Sequence, residues 1–176
     1  MTPGRPRDGS LWHKRAERVV YTGYRTILSR TFVTPGGVQD FEVKMEPDSA
    51  VALALTRARE VLLVREFRPG TEEWLLELPG GNVDDGENAD VAASRELLEE
   101  TGYAVNLRSA GAMVDCAYST RRCHVFVGDD ATRVHDSAEG LEVVLMTLAD
   151  FREHLRGGQL TDVGAGYRGL DALGLL

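Results

Sequence analysis

Cysteine is scarce in this 176-residue chain. Its two thiols, Cys116 and Cys123, stand seven apart and outside any C-x-x-C spacing, so no disulfide framework or cysteine zinc site is expected and both read as reduced core or loop thiols. Histidine is sparse too. His13, His124, His135 and His154 are scattered and form no cluster pointing to zinc or a Ser-His-Asp arrangement. No apolar run approaches a membrane span, and the opening "MTPGRPRDGS" has no apolar stretch of signal-peptide length, so the expectation is a cytoplasmic protein without a membrane partner. Basic residues are outnumbered, 20 Lys and Arg against 28 Asp and Glu. The resulting net charge of -8 argues against a nucleic-acid partner, because such binding rests on clustered cations. Internal repeats and long low-complexity tracts are absent as well.

What is present is an ordinary globular composition, 43% hydrophobic and 27% charged, at a length suited to one core. The expected organisation is a flexible N-terminus over residues 1–16 and a single domain over 17–176. Residues 17–46 are rich in Val, Tyr, Thr, Ile and Phe and are broken by Pro35-Gly36-Gly37, which reads as strands around a turn. "AVALALTRAREVLLVREF", residues 50–67, reads as a buried hairpin with its break at Thr56 to Arg59. Further strands are expected at 74–78, in "NLRSAGAMVDCAY", in "RRCHVFVGDDA" and at 141–148, with helices at 149–156 and 161–173. Strands dominate and helices lie outside, an α/β or α+β sandwich.

"ELPGGNVDDGENADVAASRELLEETGY", residues 77–103, holds one helix, expected over Ala89 to Thr101 with Asn88 as N-cap and Gly102 as C′ residue. Its local sequence works against itself. Glu96 with Glu99 and Glu96 with Glu100 fall on one face, where like charges cost roughly 0.2 to 0.5 kcal/mol per pair. Glu99 and Glu100 also sit in the last turn, where unpaired carbonyls disfavour acids by about 0.3 to 1 kcal/mol each. Val91 and Leu98 supply an apolar stripe opposite, and Ala92 and Ala93 are expected to leave the approach to the glutamates open. A hard divalent cation such as Mg²⁺ or Mn²⁺ removes the conflict, because it takes oxygen ligands and the carboxylates provide them. Arg95 can hold two carboxylates in fixed orientation, and the glycine-rich "PGGNVDDGE" can bring a main-chain carbonyl near Gly80 to the cation.

Gly81, five residues, Glu87, seven residues, then Arg95-Glu96-Leu97-Leu98-Glu99-Glu100-Thr101-Gly102 is similar at every fixed position to the signature of the Nudix hydrolases, with Tyr103 in the last apolar slot as a mild departure. The resemblance implies that family's α/β/α sandwich with a mixed sheet. It implies hydrolysis of a nucleoside diphosphate linked to another group, and Mg²⁺, replaceable by Mn²⁺, held by Glu96, Glu99, Glu100 and the Gly80 carbonyl. Glu87 and Arg95 are implied to brace loop and helix.

Outside the motif, "LLVREFRPG" followed by "WLLELPGG", together with the strand-like stretch over 17–46, resembles ADP-ribose pyrophosphatases and related nucleotide-sugar hydrolases. That resemblance implies a nucleotide-sugar substrate and a homodimer formed through the N-terminal strands. The subgroup's proline sixteen positions after Gly102 is missing; Tyr118 stands there, in "CAYSTRRCHVF". Arg121 and Arg122 are candidates for a terminal phosphate or for a solvated surface. The resemblance also implies a catalytic base from an acidic loop after the motif; "VHDSAEGLEVV" offers Asp136, Glu139 and Glu142, and Glu139 is the expected base beside the catalytic Glu96, Glu99 and Glu100. Arg65, Arg68 and Glu77 are candidate substrate contacts. Trp74 and Tyr24 are candidates for base stacking, with core packing the more usual fate of strand aromatics. A nucleoside triphosphate or dinucleotide hydrolase, and a non-catalytic nucleotide sensor on the same fold, are the alternative readings.

Overall fold

The size alternation in "AVALAL", residues 50–55, decides the layering. Along a strand successive side chains point to opposite faces. On β4 (Ser49–Thr56) that puts Ala50, Ala52 and Ala54 on one face and Val51, Leu53 and Leu55 on the other. The alanine face packs with Leu62 and Phe126 against Ala92, Ala93 and Leu97 of α1 (Ala89–Thr101). The Val/Leu face packs with Val61, Leu63, Val125 and Val127 against Phe151 and Leu155 of α2 (Leu148–Arg156) and Ala165 and Leu170 of α3 (Val163–Ala172). Helices therefore cover both faces, which is why Ala50 to Thr56 are all buried with no polar alternation.

The computed structural model describes residues 12–176, and these fall into two compact units. The larger comprises Pro47–Asp115 and Arg122–Leu176 and contains the helices and an eight-stranded mixed sheet. Its central order is β11 (Glu142–Thr147), β5 (Glu60–Arg68), β4, β10 (Arg122–Arg133), β8 (Tyr103–Ala104), with β10 parallel to β4. β6 (Glu73–Glu77) pairs with β5, β7 (Gly80–Asn82) with β4 and β9 (Arg108–Val114) with β10. The hairpin expected over 50–67 is splayed: β4 and β5 pair at Leu55 and Val61. Beyond that point β6 takes Val64 to Arg68 and β7 takes Ser49 to Val51. The edges opened by the divergence are thus filled by the chain leading into α1.

α1 has the expected bounds. Asn88 stands at the N-cap in extended geometry, without a side-chain capping bond, and Gly102 is left-handed at φ 73° with its N–H on the Leu98 carbonyl. The apolar face differs from the sequence reading. Val91 is 52% exposed, whereas Ala92, Ala93, Leu97, Glu100 and Thr101 are buried. Ala93, Leu97, Glu100 and Thr101 follow the helical i, i+4, i+7, i+8 spacing, and their small first member fits the alanine face of β4. Ala92 and Ala93 therefore fill the helix–sheet seam instead of keeping an approach open.

The smaller unit runs to Glu46 and includes Cys116–Arg121. Its sheet is β1 (His13–Thr22), β2 (Thr26–Thr34) and β3 (Gly37–Met45), antiparallel and in that order. β1 begins at His13, so residues 13–16, expected within a flexible terminus, are strand paired with the far end of β2; residues 1–11 lie outside the described residues. Segment 116–121 joins β3 through Lys44 N–H to the Tyr118 carbonyl (2.8 Å) and Thr120 N–H to the Lys44 carbonyl (2.9 Å). Neither candidate aromatic is core: Tyr24 is fully exposed in the β1–β2 connection, and Trp74 is 65% exposed on β6, touching Phe67. Cys123 is buried and Cys116 half-buried, both free thiols.

Leu97→Ala should cost about 2 to 4 kcal/mol in urea unfolding, while Val91→Ala should stay within about 0.5 kcal/mol. The reverse order would restore the Val91 stripe.

Candidate active site

The site is organised by one guanidinium. α1 carries Arg95 at its middle, and the loop before it returns Glu87 to meet that side chain. Arg95 Nε and Nη2 donate to the two Glu87 carboxylate oxygens, each at 3.0 Å. Nη1 donates to Glu96 (2.8 Å) and to Glu99 (3.3 Å), and Nη2 also reaches the Asn82 carbonyl (3.2 Å). The Glu87 carboxylate further accepts the Asp84 N–H (3.1 Å), closing the loop on itself. The guanidinium holds Glu87 below the usual carboxylate range, and Glu87 and Glu96 together push Arg95 up. Glu87 and Arg95 thus tie the glycine-rich loop to the helix.

Glu96 and Glu100 lie deeper. Desolvation raises Glu96 against the opposing pull of Arg95, with the charges of Glu139 and Glu99 adding to the rise. Glu100 is 7% exposed, and burial pushes it up to about 8, opposed by the Gly80 N–H that it accepts at 2.9 Å. Gly81 is needed for a close approach: a Cβ there would stand 2.3 Å from a Glu96 oxygen. Glu139 arrives from the loop between β10 and β11, and one carboxylate oxygen from each of Glu96, Glu99 and Glu139 lies within 4.8 Å of the others.

Strand parity sorts the remaining candidates. Leu62 of β5 faces α1, so Glu66 and Arg68 share that face, while Arg65 shares the opposite one with Leu63. Arg68 grips the buried carboxylate of Glu77 with Nε and Nη2 and meets Glu66 through Nη1 (3.0 Å). These partners, with the charge of Glu100, raise Arg68, and the Glu66 charge contributes to the rise in Glu100. Arg65 instead pairs with Glu142 across β5 and β11 at 2.9 Å. Arg68 and Glu77 therefore border the carboxylate cluster, and Arg65 does not. Glu66 was missed in the sequence although its signal was available, since two-residue spacing puts it beside Arg68.

The donor set fits a hard divalent cation. Its atoms are carboxylate oxygens, three of them already convergent, and Arg95 is hydrogen-bonded to both Glu96 and Glu99. Such crowding raises the energy of the ionised cluster in the same place where a cation would lower it.

Comparison with known proteins identifies the family. The NUDIX domain family matches residues 45–161. A CMP-5'-(N-acetyl-N-hydroxy-3-aminopropyl)phosphonate hydrolase of Streptomyces rubellomurinus is 30% identical over 176 aligned positions, covering 93% of this chain and 83% of the relative. An ADP-ribose pyrophosphatase of Bacillus subtilis is 27% identical, covering 72% of each chain. An ADP-sugar pyrophosphatase of Mus musculus is 36% identical, covering 54% of this chain and 49% of its own. Among solved structures, an ADP compounds hydrolase superposes with a TM-score of 0.74 at 20% identity, covering 94% of this chain and 97% of the other, a likeness of fold. Nudix hydrolases generally use divalent metals such as Mg²⁺, in keeping with the oxygen donors gathered here. With the family model spanning residues 45–161 and a relative 30% identical over 93% of this chain, the chain belongs to the Nudix family and is a Nudix pyrophosphohydrolase.

Proposed function

We propose that the chain catalyses Mg²⁺-dependent hydrolysis of the pyrophosphate bond of ADP-ribose or another nucleotide sugar, giving a nucleoside monophosphate and a sugar phosphate. The observation that carries this reading is the convergence of Glu96, Glu99 and Glu139 beside a guanidinium that holds two of them. Glu96, Glu99, Glu100 and the Gly80 carbonyl are the proposed donors to Mg²⁺ or Mn²⁺. Glu87 and Arg95 keep them in place. A bound cation supplies neutralisation of the pyrophosphate oxygens and a more acidic water. Glu139, exposed at the rim, takes the proton of the attacking water as general base. Arg68, held by Glu77 and Glu66, offers its positive charge to a substrate phosphate.

The ADP-ribose and ADP-sugar pyrophosphatases among the relatives support the nucleotide sugar. A second reading, a nucleoside monophosphate joined to a phosphonate, is favoured by the S. rubellomurinus enzyme, whose alignment covers most of both chains. The expected setting is the cytoplasm, in keeping with two free thiols; no described helix is long and apolar enough to cross a membrane. The smaller unit supports a homodimer: β1 is an edge strand exposed along its whole length, with Val19, Val20 and Tyr21 among its exposed residues. Sedimentation should show wild type as a dimer and a Val19→Glu, Tyr21→Glu variant as a monomer.

The substrate test is a panel of ADP-ribose, other nucleotide sugars, a CMP-linked phosphonate, dinucleotides and nucleoside triphosphates with Mg²⁺ or Mn²⁺. ADP-ribose or another nucleotide sugar should be cleaved best, and Glu99→Gln should lower kcat roughly 100-fold. Mg²⁺ should raise the Tm of wild type more than that of Glu99→Gln. Binding of a nucleotide without turnover by wild type would favour the sensor.

Burial gives a separate pH signature. Burial pushes Glu100 up to about 8 in the folded chain, from its ordinary value of 4.5 when unfolded. Between these values the folded state holds a proton that the unfolded state lacks, so stability is full below pH 4.5 and falls as pH rises through 8. In chelator, the wild-type Tm should drop across that window, and Glu100→Gln should flatten the drop.

A further inference from the structure

The loop that carries Glu139 is seated on the C-terminus of α1. Val134 and His135 donate their N–H groups to the Gly102 carbonyl at 2.8 and 3.3 Å. Ala138 and Glu139 donate theirs to the Glu99 carbonyl at 2.8 and 3.4 Å. Ser137 lies between these pairs. Its Oγ donates to the same Glu99 carbonyl (3.4 Å) and accepts the Leu141 N–H (3.2 Å), while Gly140 N–H returns to the Ser137 carbonyl (3.4 Å). One hydroxyl therefore bridges the helix end to both arms of the turn that holds Glu139.

Gly102 makes the seat possible in two ways. It adopts φ +73°, and a Cβ on it would stand 2.1 Å from the His135 carbonyl oxygen and 3.0 Å from the Asp136 carbonyl carbon. The backbone of the loop passes where any side chain would be. A left-handed C-terminal residue alone would favour glycine; the passing loop excludes every other residue unless backbone moves.

The receptor is also notable for its owner. Glu99 contributes its carboxylate to the cluster and its main-chain oxygen to the loop, so the turn carrying Glu139 is anchored on the residue whose carboxylate Glu139 approaches. An error in the turn becomes directly an error in the distance between Glu139 and Glu99.

We infer that Ser137 and Gly102 are positioning residues for the reaction: they seat the 134–141 loop on the end of α1 and so set where the Glu139 carboxylate stands relative to Glu96 and Glu99. The inference rests on the proposed role of Glu139. The Ser137 hydroxyl meets the Glu99 carbonyl and the Leu141 N–H, so it acts through the turn. Its loss should therefore lower kcat with little change in KM, and the effect should depend on Glu139 being present.

The experiment is a double-mutant cycle in the full chain with Mg²⁺ and the best substrate of the panel. Ser137→Ala should lower kcat about 5-fold with KM changed less than about 2-fold, and Ser137→Thr, which keeps the hydroxyl, should recover most of it. In a Glu139→Gln background the same Ser137→Ala change should have an effect below about 1.5-fold. Equal Tm values for wild type and Ser137→Ala would show that the loss is not one of folding. If Glu139→Gln alone keeps full turnover, the role of Glu139 is wrong and this inference falls with it. If Glu139→Gln is impaired but Ser137→Ala is equal to wild type, or impaired equally in both backgrounds, the seat does not position Glu139. Gly102→Ala, where it folds, should reproduce the Ser137→Ala pattern with a larger loss in kcat; an unchanged kcat would count against the seat.

Discussion

The Arg95 guanidinium is the constraint on which the site depends. The glycine-rich loop and α1 contribute four glutamates, Glu87, Glu96, Glu99 and Glu100, and three of them are hydrogen-bonded to one side chain. A lysine would present a single flexible charge. The planar fork lets one group answer Glu87 with two N–H bonds and still turn its third nitrogen to Glu96 and Glu99. Because Glu87 belongs to the loop and the others to the helix, the same fork joins two chain segments that packing alone would leave to slide. The closeness of Gly81 to Glu96 follows from this, and so does the loop's return to the helix.

The helix dipole is met by a different device. α1 ends in acids and has no basic residue in its last turn, so no C-terminal cation of its own relieves its carbonyls. Backbone does so instead: loop N–H groups converge on the carbonyls of Glu99 and Gly102. Amide donors neutralise the negative end of the helix without competing for the carboxylates, which a lysine or arginine there would do. The loop that caps the helix is also the one that adds Glu139. Capping and assembly of the site are the same set of contacts.

Local signals made much of this legible in the sequence. The bounds of α1, its terminal glycine and the spacing of Glu96, Glu99 and Glu100 depend on neighbours within a few residues, and the acidic loop offering Glu139 could be named from composition. What failed depended on partners far along the chain. Val91 reads as a core residue until β4 is seen to present alanines to the helix, a preference that selects Ala92, Ala93 and Leu97. Arg65 and Arg68 look equivalent in "REFRPG", yet parity sends one to Glu142 and the other to Glu77. The hairpin reading missed the splay because β6 and β7, which fill it, come later in sequence. The seat of the 134–141 loop is built mostly from main-chain bonds, which leave little trace in residue identity apart from Gly102 and Ser137.

The two faces of the central sheet divide stability from chemistry. Toward α2 and α3 lie large apolar side chains, Leu53, Leu55, Leu63, Phe151 and Leu155, all fully buried or nearly so. Toward α1 lie alanines, and among them two buried carboxylates, Glu77 and Glu100. Burying a carboxyl costs free energy unless it is paired or protonated, so a layer that holds two of them stabilises the chain less than its area suggests. Glu77 is paired with Arg68, whereas Glu100 accepts a backbone N–H. The strain of ionising it is tolerable because the opposite layer supplies apolar burial that owes nothing to the site. Small side chains on the α1 face then serve a second end: they let the helix lie close enough for its glutamates to meet a glycine loop hydrogen-bonded to the same strand.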